Sequence, residues 1–249
     1  MTKLRTLALA SLAAPLTLAL AACDDAGTAD GVSSGEAIDP IAAPEGQEWG
    51  EIAVKTEEGG YRIGNPDAPI KLVEFASHTC GGCASFAATG AAALEEEYVP
   101  TGVVSFEIRN LIRDPLDLTI SVLARCGDPA RFHPLADQAW ASLNQFSQTI
   151  GQNGAMAEQA MTLPEDQRMI GIAEAAGLID WFAARGLSRN QAQSCLADAE
   201  NIRAIAEQSR EQADLNNVQS TPTFLINGNN VGPQSWETLE PLLQEAGAR

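Results

Sequence analysis

Residues 115–214 contain no convincing strand pattern, yet strand-like runs stand on both sides of them. Before them come "IKLVEFAS" (residues 70–77) and "GVVSFEIRNLI" (102–112), β-branched and apolar in the manner of buried strands. After them "TPTFLING" (221–228) returns to the same pattern. A chain that leaves a sheet for about 100 residues of helical pattern and then re-enters it carries those helices as an insertion. Between the first two runs lies the alanine-rich, helical "CASFAATGAAALEEEY". Strand, helix and strand in that order imply a right-handed crossover and a parallel pair.

The flanks complete an α/β outline. "EIAVKTEEGGYRIG" reads as a hairpin around Gly59 and Gly60, and "NPDAP" as a turn. "NGNN" (227–230) is a second hairpin signal. In "SWETLEPLLQEAG", Trp236, Leu239, Leu242 and Leu243 share one face of a closing amphipathic helix. Inside the helical block, Ser188 with Gln191 three residues later forms a capping box. The predicted domains are residues 49–113 and 215–249 for the sheet-bearing part and 114–214 for an inserted all-helical domain.

The front of the chain reads differently. Lys3 and Arg5 precede an apolar run, residues 7–22, that is short for a membrane span and holds Pro15. "LAAC" ends it and resembles a bacterial lipobox, so residues 1–22 are expected to be a signal peptide and Cys23 the lipidated mature N-terminus. In some bacteria an acid in the position of Asp24 favours retention at the inner membrane. Residues 24–48, rich in Gly, Ala, Asp, Ser and Pro, are expected to form a disordered tether. As a coil the tether reaches roughly 25–30 Å. Export places the domain in an oxidising compartment, where disulfides persist. The formal net charge of −18 argues against nucleic acid as a partner, because phosphate binding needs clustered Lys and Arg.

Apart from Cys23, the cysteines are Cys80, Cys83, Cys126 and Cys195, which allow three pairings. Cys80 and Cys83 enclose only Gly81 and Gly82, on a turn from strand to helix. So small a loop suits an exchanging disulfide better than a structural one. A helix N-terminus favours a thiolate, the species that attacks in disulfide exchange. Cys80 is therefore expected to be the exposed nucleophile and Cys83, one turn further in, the buried resolving thiol. Structural zinc needs four ligands, and no second CxxC or suitable spacing with Cys126, His133 or Cys195 supplies them. Copper transfer is a stronger competitor, since His78 stands two residues before Cys80. Glu74, six before Cys80, interrupts an apolar strand. Either it lies on an exposed edge, or it points under the turn to exchange a proton with Cys83. Pro222 opens a strand, where it cannot donate to the ladder; a cis Thr221–Pro222 bond or a plain trans proline would both accommodate it.

Taken together, "KLVEFASHTCGGCASF", the helical block and "STPTFLING" resemble the DsbA family of thiol–disulfide oxidoreductases, over residues 50–247. The resemblance implies a thioredoxin-like fold with an inserted helical domain and no cofactor. It makes Cys80 the nucleophile, Cys83 the resolving thiol, and Thr221 with cis-Pro222 a substrate-docking loop facing them. Best-known members carry Pro-His between the cysteines; Gly81 and Gly82 here imply weaker thiolate stabilisation and a milder oxidant. Some relatives carry a disulfide in the helical domain, which makes Cys126–Cys195 the expected structural pair, against two buried free thiols. His78 is read as a neighbour of the active site or a solvent-facing turn residue. His133, Trp140, Trp181 and Trp236 are read as structural.

The function so implied is oxidation or exchange of disulfides in exported client proteins by a periplasm-facing lipoprotein, reoxidised by a DsbB-like membrane partner. The alternatives are an isomerase or reductase kept reduced by a DsbD-like donor, a copper-binding chaperone of the same fold, and a binding module with an inert disulfide.

Overall fold

The computed structural model describes residues 35–249. The signal peptide, Cys23 and Asp24 lie outside the described residues. Strands β1 (Ala53–Lys55) and β2 (Tyr61–Ile63) form the first hairpin, and β3 (Ile70–Ala76) follows the "NPDAP" turn. Helix α1 (Gly81–Phe86) continues in wide π-turns over Ala87–Ala91 and Leu94–Tyr98, and the chain then enters β4 (Val104–Asn110). Eight α-helices occupy the interval without strands: α2 (Pro115–Ala124), α3 (Phe132–Ala141), α4 (Leu143–Gln152), α5 (Gly154–Met161), α6 (Glu165–Ala175), α7 (Leu178–Ala183), α8 (Arg189–Ala197) and α9 (Ala199–Leu215). Strands β5 (Thr223–Ile226) and β6 (Asn229–Gly232) and helix α10 (Trp236–Glu245) close the fold.

The six strands form one sheet in the order β1-β2-β4-β3-β5-β6. Only β3 and β4 are parallel, as a strand–helix–strand unit requires. The β5–β6 turn places Asn227 and Gly228 both at positive φ, 51° and 81°, the conformation that a tight two-residue hairpin needs. Asp114 caps α2 by accepting from the Asp117 amide, with Pro115 at the first helical position. The Ser188–Gln191 capping box opens α8.

Pleating sends alternate residues of β3 to opposite faces. Val73 and Phe75 join Ala213, Val218 and Leu225 in a small cluster. Leu72 and Ala76 face the main core, which also takes in Phe86, Phe106, Trp140, Phe182 and Leu243. The sheet and the helical insertion therefore share one continuous core. Cys126 and Cys195 form a disulfide that joins the end of α2 to α8.

Residues 35–48, expected to be disordered tether, instead lie along the domain. The amides of Gly35 and Ile38 donate to the carbonyls of Glu245 and Gly247 (2.7 and 2.9 Å), and that of Ile41 donates to Thr101 (2.8 Å). Trp49 is buried and donates its indole N–H to the Ile41 carbonyl at 2.7 Å. Low average hydrophobicity concealed an apolar anchor, Ile38, and backbone groups that need no side chain to pair. Gly102, at φ 72°, lets the segment pass: a Cβ there would strike the Trp49 indole and the Ile41 carbonyl.

Candidate active site

Cys80 is the N-cap of α1. Its Sγ accepts from the Cys83 amide at 3.4 Å, and in the thiol form its S–H donates to the Thr221 carbonyl at 3.2 Å. Cys80 and Cys83 are free thiols. Cys80, expected to be exposed, shows only 4% of its surface, and Cys83 shows none. The Thr221–Pro222 loop accounts for the difference, with the Thr221 carbonyl 3.2 Å from Cys80 Sγ and the Thr221–Pro222 peptide cis. Gly82 permits that approach: a Cβ there would lie 2.9 Å from Pro222 Cδ and 3.7 Å from Cys80 Sγ, whereas Gly81 faces open space. Ser85, Phe86 and Thr89 of the long helix continue from Gly82 and Pro222 as a shallow groove.

The electrostatics separate the two sulfurs. The Cys80 thiol is lowered to about 5, chiefly by the hydrogen bond from the Cys83 side chain. Burial opposes that shift, while the Thr221 side chain and the amides of Cys83 and Gly82 assist it. The Cys83 thiol is pushed up far beyond its ordinary value, first by the same hydrogen bond, then by burial and by the Glu74 charge. At neutral pH Cys80 is thus a thiolate and Cys83 a thiol.

Glu74 is not on an edge. It lies in central β3, 1% exposed, opposite Ile108 on β4 and Phe224 on β5. It shares the face of Leu72 and Ala76, beneath α1. Burial, then the charges of Asp137 and Cys80, raise its carboxyl well above the usual range. The structure therefore gathers Glu74, Cys80, Cys83, Thr221, Pro222, Gly81 and Gly82 in one place.

His78 is close in sequence to this group but is fully buried at the seam with the helical insertion. It stacks on Trp140 (centroids 5.2 Å apart), and its Nδ1 lies 3.0 Å from Ser121 Oγ. Its amide donates to Asp117 Oδ1 at 2.8 Å, and the Thr79 hydroxyl donates to Asp114 Oδ2 at 2.6 Å. Trp140 donates its indole N–H to the Ser77 carbonyl at 2.9 Å. The insertion thereby holds the three residues before Cys80. Sequence reasoning missed Asp114, Asp117 and this role of Trp140; the Asp-Pro start of α2 was the available signal. His133 is buried, with Nε2 2.9 Å from the Tyr61 carbonyl. Among the described residues, no group of three or more His, Cys, Asp or Glu is placed to hold a metal.

A family model described as Thioredoxin matches residues 56–245. The chain belongs to the thioredoxin family. Its fold is the DsbA-like form, in which helices interrupt the thioredoxin sheet. A protein-disulfide isomerase from Novosphingobium aromaticivorans is 30% identical, with a TM-score of 0.69 over 75% of this chain and 96% of that one. Wolbachia pipientis alpha-DsbA1, 17% identical, shares the fold with a TM-score of 0.61 over 75% of this chain and 89% of that one. A Rickettsia conorii chain named as a protein-disulfide oxidoreductase is 22% identical over 203 residues, 79% of this chain. The thioredoxin-family chain described here spans 63% of that relative's length.

Proposed function

We propose that the protein is a thiol–disulfide oxidoreductase that introduces or exchanges disulfides in exported proteins through Cys80 and Cys83. The observation that carries this reading is the asymmetry of the pair. Cys80 is held as a thiolate against the cis-Pro222 loop, and Cys83 is held as a thiol above a buried Glu74. A client thiolate attacks Cys80 Sγ in the disulfide form, and the electron pair of the broken bond leaves on Cys83. A second client thiolate then attacks the client sulfur of the mixed disulfide and expels Cys80 as a stable thiolate. The groove beside Gly82 and Pro222 receives the client backbone. Cys23 anchors the protein by lipid on the periplasmic face of a membrane, the inner one by the reading of Asp24, where a DsbB-like partner reoxidises it. Among the described residues no helix is long and apolar enough to cross a membrane.

The test is oxidation of a reduced client protein by wild type and by Cys80→Ser. Wild type restores the client's disulfides and the variant does not; an active variant would refute the mechanism. A second reading, isomerase or reductase, is favoured by the similarity to the Novosphingobium isomerase and by the Gly81-Gly82 dipeptide. The redox state of the pair in cells separates the two: mostly disulfide for the oxidase, mostly dithiol for a protein kept reduced by a DsbD-like donor.

A further inference from the structure

Glu74 is a buried acid with no cation beside it among the described residues. Its strand neighbours Ile108 and Phe224 are apolar and buried, and its Oε1 has no hydrogen-bond partner among the described residues. The groups whose charges reach it are Asp137 and Cys80. Helix α3 explains how Asp137 comes there. His133, in the first turn of α3, lies edge-on to Phe106 (centroids 5.3 Å apart), and Phe106 is level with Leu72 in the sheet. Trp140, in the last turn, reaches Ser77, one residue past the end of β3. Asp137 is four residues after His133 and three before Trp140, on the same stripe of the helix. It therefore falls between those two levels, beside Ile108 and Glu74.

Asp137 is half-buried where Glu74 is sealed. Beyond it stand His133 and Glu95. His133 Nε2 faces the Tyr61 carbonyl at 2.9 Å, and a carbonyl can only accept, so Nε2 carries a proton. His133 Nδ1 lies 3.3 Å from Glu95 Oε1. Glu95 reaches solvent, with its side chain 26% exposed. Titratable groups that feel one another's charge thus follow in order from Cys83 through Glu74 and Asp137 to His133 and the partly exposed Glu95.

We propose that Asp137, in the inserted helical domain, is the outer carboxyl of a proton relay that serves Cys83 through Glu74. The proposal rests on the exchange chemistry given above. When a client thiolate attacks Cys80, the Cys80–Cys83 bond breaks and its electron pair leaves on Cys83 Sγ. Cys83 takes a proton from Glu74, Glu74 takes one from Asp137, and Asp137 is recharged from solvent. Reoxidation runs the protons outward. Asp137 touches no reacting sulfur and acts only through Glu74. Burial and the Glu95 charge hold the Asp137 carboxyl up at about 7, against the opposing influence of His133, so it can give and take protons near neutrality.

The experiment is a carboxyl carbon-13 NMR titration of the reduced full chain, paired with the pH dependence of its exchange rate with a small disulfide. Wild type, Asp137→Asn and Asp137→Glu are compared. Removing the like charge should lower the Glu74 midpoint by on the order of one pH unit, move the break in the rate profile the same way, and leave the melting temperature in place. Asp137→Glu should restore both. A Glu74 midpoint and rate break unmoved in Asp137→Asn would overturn the relay. If that variant does not fold, wild type still decides: Glu74 and Asp137 titrate in coupled steps under the proposal, and independent single-step curves overturn it. A wild type inert in exchange would overturn the oxidoreductase reading separately, before any variant is compared.

Discussion

Cys80 and Cys83 are chemically alike in sequence and far apart in the fold. Cys80 receives hydrogen bonds at the N-cap of α1, whereas Cys83 gives one and sits over the Glu74 carboxyl. Thiolate absorbance of the reduced protein should therefore show one transition with a midpoint about 5, lost in Cys80→Ser, and no second transition from Cys83 below pH 9. A midpoint above 8 would remove the basis for the assigned roles. The two glycines between the cysteines are not equivalent either. Gly81→Ala enters open space and should change stability little. Gly82→Ala places a Cβ against Pro222 at 2.9 Å, so the Thr221–Pro222 loop must shift. It should cost roughly 1–3 kcal/mol, the usual range for overpacking, in urea unfolding, and should slow exchange with protein clients. Equal behaviour of the two variants would show that the loop does not press on Gly82. Both glycines were visible in the sequence, but their difference was not, because it depends on a loop some 140 residues away.

The elements that the sequence made legible are those with strong local periodicity. The apolar runs of β3, β4 and β5, the two hairpin turns, the capped start of α8 and the face of α10 all lie where the pattern puts them. What was hidden depends on contacts between elements. Asp114 and Asp117 look like ordinary α2 N-terminal acids, yet they hold the Cys80 loop. Asp137 has no signal of its own in "FHPLADQAW", because only the contacts of His133 with Phe106 and of Trp140 with Ser77 turn its stripe of α3 toward Glu74. Residues 35–48 looked unstructured because their pairing is by backbone. The disulfide between the end of α2 and α8 closes a separation of 69 residues. Replacing Cys126 and Cys195 together by serine should lower stability by about 4 kcal/mol in the chain-entropy model. The Cys80 thiolate midpoint should stay where it is, because neither residue touches the site. A shifted midpoint would mean that the disulfide tunes the active pair rather than only bracing the helices.

The direction of electron flow is a property of the whole molecule, because it depends on which redox form the fold prefers. The Cys80 thiolate exists only in the reduced form, and the fold holds its titration at about 5 against an ordinary thiol value of 9.0. A depressed acid stabilises the folded state fully above its unfolded value, and this stabilisation is lost as pH falls through the folded one. Relative to the oxidised protein, which shares the raised Glu74 and Asp137 carboxyls but has no thiolate, the reduced protein therefore gains stability as pH rises from about 5 toward 9. By the thermodynamic cycle, whatever stabilises the folded dithiol over the folded disulfide makes the pair more oxidising than the same cysteines in an unfolded chain. Melting curves of both forms across this range should show the reduced protein unfolding at the higher temperature at pH 7, with the gap narrowing as pH approaches 5. Cys80→Ser should lose the pH-dependent part. That outcome places the protein with oxidases, despite Gly81 and Gly82. An oxidised form that is the more stable at pH 7 would instead support the isomerase or reductase reading, and the burial costs at Cys83 and Glu74 would then outweigh the Cys80 thiolate.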